Sequence, residues 1–187
     1  MKKALTLVII GLLVVGMTGM GYAAEKAPQK VVDLANSTLA DLGTDPIIVK
    51  AVKIENAKRK SLAQIQDMDK KWKATPGIAD YMQAMMDSEC GRHLRSIQSG
   101  STIYAEIFAM DNKGANVAMT DKTSDYWQGD EAKFKKSFNN GKGSVFVDDV
   151  EFDDSSQAYL VQVSVPVKDG DAVIGAITFG IDMDKVQ

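Results

Sequence analysis

Apolar positions change their spacing twice along this chain, and the changes divide it into three parts. Met1-Lys2-Lys3 leads into an almost unbroken apolar run from Ala4 to Met20, closed by Gly21-Tyr22-Ala23-Ala24. From Glu25 to about Gly100 apolar residues recur every third or fourth position, the period of amphipathic helices. Val31, Leu34, Ala35, Thr38, Leu39 and Leu42 form the first such stripe, which Gly43 ends. Asp45-Pro46 then supplies an N-cap followed by proline at the first helical position, and no Gly or Pro returns until Pro76. Ile54, Ala57, Ser61, Ile65, Met68 and Trp72 line one side of that stretch, so the spacing predicts a single helix over 46–73. Its length of roughly 42 Å exceeds what one small domain covers, which predicts a homodimer through this helix. Thr75-Pro76 repeats the cap-then-proline signal and predicts a shorter helix through Tyr81, Met82, Met85 and Met86.

After Gly100 strict alternation takes over. Strands are predicted over 103–110 and 115–120, joined by the turn Asp111-Asn112-Lys113-Gly114. A short helix over 130–138 pairs Phe134 with Phe138 and Glu131 with Lys135. Three further strands follow over 141–150, 158–167 and 172–182. Connections of hairpin length make the sheet antiparallel, and the class is α+β.

The first part reads as a secretory signal peptide over 1–23, with a basic start, an apolar centre and small residues at the exit. Cleavage after Ala23 puts Gly21 and Ala23 at the two positions that must be small. The competing reading is an uncleaved signal anchor, because the apolar run is at the lower limit of a membrane span. A lipoprotein is excluded, since the lipid anchor needs a Cys at the cleavage point and the only Cys is Cys90. The expected product is a periplasmic chain with a helical region over 24–100 and a strand-rich domain over 101–187.

Composition changes little in this picture: 45% hydrophobic and 25% charged residues with 15 Gly and 4 Pro are ordinary for a globular protein. The net charge of −3, from 22 basic and 25 acidic residues, becomes more acidic once Lys2 and Lys3 leave with the leader. Nucleic acid is thereby excluded as a partner.

Catalytic chemistry is scarce. The single His93 lies in Cys90-Gly91-Arg92-His93, which approaches a haem-attachment pattern but lacks its second Cys, and a metal site there needs ligands from elsewhere. There is no Gly-x-Ser-x-Gly elbow, phosphate-binding loop or His-Glu-x-x-His. The acidic stretch Asp148, Asp149, Glu151, Asp153, Asp154 lacks the central glycine of an EF-hand and reads as a solvated strand end. No catalytic residue, metal or cofactor is assigned, and the chain reads as a non-enzyme.

The segment Thr120 to Glu131 is the densest concentration of binding chemistry, with Tyr126 and Trp127 beside Asp125 and Asp130. Rings with one apolar and one hydrogen-bonding end, next to convergent carboxylates, suit a small polar ligand. The alternative is that Tyr126 and Trp127 plug the edge of the core. By period two Tyr104 and Glu106 share one strand face, and Gln162 and Ser164 share another with Leu160. Polar residues inside apolar strands face water or line a polar pocket.

Three stretches together resemble a single Cache sensor domain, the extracytoplasmic relative of the PAS fold. They are Tyr104-Ala-Glu-Ile-Phe-Ala-Met-Asp-Asn-Lys-Gly114 with Val117-Ala118, Thr123-Ser-Asp-Tyr-Trp-Gln-Gly-Asp-Glu131, and Val163-Ser-Val-Pro-Val167 leading to Val173-Ile-Gly-Ala-Ile177. The resemblance implies a five-stranded antiparallel sheet of order 2-1-5-4-3, a long N-terminal helix on one face and a ligand pocket on the other. It implies binding of organic acids, amino acids or amines. The chain ends at Gln187, where such a receptor would continue into a membrane helix, so the expected role is a ligand-binding module reporting to a separate membrane-bound receptor or kinase. The arginine-containing amino-acid motif of the double-Cache receptors is not matched. Carboxylates with aromatic walls favour an amine, with Asp125, Tyr126, Trp127 and Asp130 as first contacts and Tyr104, Glu106, Gln162 and Ser164 as floor. Two alternatives stand beside this: an oligomerising scaffold protein, and a redox or haem sensor using Cys90 and His93.

Overall fold

The computed structural model describes residues 25–153 and 157–186, so the leader assigned to 1–23 lies outside the described residues. Among the described residues no helix is long and apolar enough to cross a membrane.

Helix α1 (Gln29–Leu34) runs through a π-helical stretch, Ala35–Leu39, into α2 (Ala40–Leu42), and buries Val31, Ala35 and Leu39. Asp45 caps α3 (Pro46–Ala57) by accepting from the Ile47 and Ile48 N–H groups at 2.8 and 3.2 Å. Pro46 takes the first helical position, where a missing donor costs nothing.

The single helix predicted over 46–73 is in fact two. After Ala57 the chain passes Arg59, whose φ of 51° is left-handed, and Ser61 opens α4 (Leu62–Ala74). Gln64 N–H donates to Ser61 Oγ at 3.2 Å and Ser61 N–H donates back to Gln64 Oε1 at 2.8 Å, a reciprocal capping box. That local signal overrides a helical period that runs through it. The stripe divides with the helix: Ile65 and Trp72 of α4 are buried within this chain, whereas Ile54 and Ala57 of α3 are exposed and α3 buries Ile48 and Val52 instead. The length argument for a homodimer through 46–73 therefore loses its premise. Thr75-Pro76 likewise closes a helix instead of starting one, since Thr75 is the C-cap of α4 and the next helix, α5 (Asp80–Met86), begins after Ala79. Ser88 Oγ then caps α6 (Glu89–Ser99) through the Gly91 N–H at 2.9 Å.

Five strands follow: β1 (Tyr104–Met110), β2 (Asn116–Met119), β3 (Phe146–Asp153), β4 (Ala158–Asp169) and β5 (Ala172–Asp182), with α7 (Ala132–Phe138) between β2 and β3. They form one antiparallel sheet of order β2-β1-β5-β4-β3, as expected. The β1–β2 turn is held by Asp111 Oδ1, which accepts from Lys113 N–H at 2.8 Å and Ala115 N–H at 3.0 Å. Phe134 and Phe138 stack at 5.2 Å as predicted, whereas Glu131 pairs with Lys133 at 3.0 Å rather than with Lys135.

Alternation along the strands gives the sheet two different faces. Ile107, Ala109, Val161, Val163, Val165, Val167, Ile177, Phe179 and Ile181 pack against Val31, Leu39, Ile48, Val52 and Leu94 of the N-terminal helices. On the other face Phe108, Met110 and Ala176 meet Ile65, Trp72, Met82 and Met86, together with Tyr126 and Phe134. That second face also carries Glu106, Gln162, Ser164, Thr178 and Gly180, a polar strip in an otherwise apolar layer.

The capping box makes a direct prediction. Ser61→Ala should cost about 1 kcal/mol, lowering the urea midpoint while the slope stays unchanged, and equilibrium denaturation measures both.

Candidate functional site

A bulge decides which β1 side chains reach the polar strip. The register of β1 against β5 shifts between Tyr104, opposite Ile181, and Glu106, opposite Gly180, so the two are not on one face as period two required. Tyr104 stacks on Phe179 at 5.9 Å, on the side of the N-terminal helices. Glu106 turns to the other side.

There it lies across the bare backbone of β5. A Cβ on Gly180 would stand 2.7 Å from Glu106 Cγ, so only glycine leaves this path open. The carboxylate thereby reaches β4, where its Oε1 accepts from Gln162 Nε2 at 3.1 Å. Ser164, one step along the same face, is fully buried and shares its hydroxyl with Thr178 at 2.8 Å.

Glu106, Phe108 and Gln162 form the floor of a cavity of about 220 Å³. Thr123, Ser124 and Gln128 from the connecting segment wall it on one side, with Lys133 of α7 and Asp153 of β3 on the others. A second cavity, also about 220 Å³, adjoins it over the acidic run of β3 and shares Lys133, Asp153 and Gln162. Asp148, Asp149, Glu151 and Asp153 of the stretch read as a solvated strand end thus line this cleft, and Asp154 lies outside the described residues.

Burial pushes the Glu106 carboxyl up to about 7; Lys133 opposes the rise, and Asp153 and Asp121 add to it. Gln128 is 1% exposed, and its Nε2 donates to the Asp125 carbonyl at 2.8 Å, which fixes the amide's orientation. Its Oε1, like that of Gln162, is buried with no hydrogen-bond partner among the described residues. Acceptors therefore dominate the cleft. Among the described residues its one ammonium, Lys133, is engaged by Glu131 and lies 5.5 Å from the centre of the Phe108 ring.

The connecting segment is positioned by α4. Asp69 is buried, and its Oδ1 accepts from the Tyr126 and Trp127 N–H groups at 2.9 and 3.1 Å. Trp72 Nε1 donates to the Thr123 carbonyl at 2.8 Å, and Lys73 bridges Asp69 and Asp125. Partial burial opposes the Asp125 charge, but hydrogen bonds from Lys73 and Ser124 outweigh it and hold the carboxyl below its usual range.

Of the eight residues singled out in the sequence, only Glu106 and Gln162 come together in the cleft. Asp125 faces Lys73. Tyr126 is buried against Trp72 at 5.7 Å, and its hydroxyl accepts from Lys60 Nζ at 2.6 Å. Trp127 Nε1 donates to the Lys113 carbonyl at 2.8 Å, and Asp130 is exposed. Tyr104 and Ser164 lie elsewhere, as described above. Phe108, Thr123, Ser124, Gln128 and Lys133 were not anticipated, although alternation from Glu106 leads directly to Phe108.

Cys90 and His93 have separate surroundings. Burial, reinforced by the charges of Asp45 and Glu89, pushes the Cys90 thiol up to about 12. His93 Nε2 meets Asp45 Oδ2 at 2.9 Å.

No protein-family model and no curated protein matches the chain. Among solved structures it is similar to the sensor domain of the V. cholerae histidine kinase DctB, at 14% identity over 84% of this chain and 51% of that one, with a TM-score of 0.46. It is also similar to the sensory domain of the Campylobacter jejuni chemoreceptor Tlp3 with isoleucine bound, at 15% identity over 86% and 66% of the two chains and a TM-score of 0.42. The ligand-binding domain of the Pseudomonas aeruginosa amino acid chemoreceptor PctC in complex with GABA gives 10% identity over 82% and 62%, with a TM-score of 0.39. The chain spans about half the length of the first of these.

The Glu106 environment predicts how the empty fold responds to pH. Its carboxyl titrates near 4.5 in the unfolded chain and about 7 in the fold, so the folded state holds the proton more tightly. The stabilisation is complete below about 4.5 and is lost as pH rises through 7. The ligand-free protein should therefore lose Tm between those values, and Glu106→Gln should remove that part of the slope in a thermal-melt series.

Proposed function

We propose that this chain is a periplasmic small-molecule sensor module that binds an amine in the cleft between the sheet, the 120–131 segment and α7, and reports its occupancy to a separate membrane-bound receptor or kinase. The observation that carries the reading is the cavity itself: the half-buried Glu106 carboxylate and two amide oxygens without partners among the described residues, beside the Phe108 ring. Buried acceptors without donors are costly, and a ligand bearing N–H groups relieves that cost. The periplasmic location rests on the leader-like sequence over 1–23.

The way the cleft is built supports reporting as well as binding. A ligand there touches both the sheet and the connecting segment, whose backbone is tied to α4 through Asp69 and Trp72. Occupancy therefore has a physical route to α4, because it favours the arrangement in which sheet and segment close on the ligand.

Mass spectrometry of small molecules released from gently purified protein, followed by thermal shift with each of them, tests the reading. A true ligand raises Tm with its concentration, since it binds only the folded state. Gly180→Ala puts a methyl group into the path of Glu106 and should weaken that response at least tenfold while leaving the sheet intact. If no small molecule raises Tm, or if Gly180→Ala responds like the parent, the cleft is not a ligand site.

A further inference from the structure

Taking the ligand-binding reading as its basis, we propose that the cleft exchanges a proton for its ligand: Glu106 carries a proton when the site is empty and gives it up to solvent when an ammonium group takes its place.

The argument starts from what surrounds the carboxyl. Glu106 Oε1 accepts one hydrogen bond from Gln162 Nε2, at 3.1 Å. The neighbouring polar atoms are acceptors too: Gln162 Oε1 and Gln128 Oε1, both buried without partners among the described residues. The charged groups facing Glu106 from the packed elements are Asp153 on β3, Asp121 in the connecting segment and Lys133 on α7. Two of the three are negative. The third is paired with Glu131 at 3.0 Å, which offsets its charge.

An ionised carboxylate in such a setting lacks a full counter-charge, and burial makes that expensive. One positive charge resolves the conflict. A proton supplies it in the empty site, and the same burial that holds the carboxyl at about 7 makes this state accessible near neutrality. An ammonium ligand supplies the charge together with several N–H donors, and those donors can serve the amide oxygens that a single carboxyl proton cannot. Binding then converts carboxylic acid plus ammonium into an ion pair plus a solvated proton, with no change in the net charge of the cleft. The acidic rim on β3, including Asp148 and Glu151, favours cations at the entrance without taking part in the exchange.

A neutral isostere cannot supply the missing charge, and an anion adds to the conflict. Selectivity for charge therefore sits on Glu106. The exchange also fixes the pH dependence: below about 7 the ligand must displace a proton, and apparent affinity should fall roughly tenfold per pH unit there, then level off above it.

Calorimetry of the full chain in two buffers of different ionisation heat measures the protons directly. The probes are alkylammonium chlorides from methyl to butyl, the matching alcohols and the matching carboxylates. The expected result is binding by ammonium probes alone, with about half a proton released per ligand at pH 7, approaching one in acid and none in base. Glu106→Gln should bind the same probes more weakly, with no proton release and no pH slope. Ammonium binding without proton release, or equal binding of an alcohol, overturns the exchange and leaves the ligand-binding reading standing. If the ammonium probes are inert while an uncharged or anionic compound raises Tm, the exchange is again overturned and only the ligand class of that reading changes. If neither the probes nor any released compound binds, both fall together.

Discussion

A carboxyl group half-buried on one face of a sheet that carries helices on both sides is the constraint around which this structure is arranged. The N-terminal helices take one face of the sheet with aliphatic side chains and the Cys90 thiol. The other is divided between an apolar half, under α4 and α5, and the polar strip that Glu106 heads. Keeping that group inside requires the β1 bulge that turns it, the glycine on β5 that lets it pass, and the Gln162 amide that meets it. Each is a local departure from a regular sheet, and they converge on one side chain.

The segment over the cleft has little regular structure of its own and takes its shape from α4. A buried aspartate that accepts two consecutive backbone N–H groups does the work of a strand partner for Tyr126 and Trp127. Lys60 and Lys73 hold the middle of the same segment through the Tyr126 hydroxyl and the Asp125 carboxylate. The helix break at Arg59 matters for this reason, since it frees α4 from α3 and lets it bury Ile65 and Trp72 against the apolar half of the second face.

Much of the fold was legible in the sequence. The limits of β1, β2, β4 and β5 follow closely from alternation and turn chemistry, whereas β3 runs over Phe146–Asp153 and not 141–150 because a 3-10 turn, Asn139–Gly141, occupies the expected start; Asp111 with Gly114 marks the β1–β2 turn because an Asx turn and a left-handed residue were both needed there. The strand order came with the family resemblance and not from spacing. The helix break was missed because Ser61 fits the apolar stripe as well as it fits a capping box, and the stripe was given more weight. In the site, Glu106 and Gln162 stood out as polar residues within apolar strands. Tyr104 was misplaced with them because a bulge adds a residue without changing composition. Asp125, Tyr126 and Trp127 drew attention for their chemistry, but a segment without periodicity carries no information about which way its side chains turn. Gly180 was the overlooked signal: a glycine inside a strand marks a close approach, and here the approaching group is Glu106.

Cys90 supports a different kind of observation. Its thiol is 2% exposed at the base of α6, next to the groove against α3, and its proton is held far above neutrality. In an oxidising compartment such a sulfur is a spectator, because only an exposed thiolate exchanges disulfides. It becomes reactive when α6 lifts from its packing. The rate at which an alkylating reagent consumes this one thiol is therefore a clock for the opening of the helical layer, built into the chain without any label.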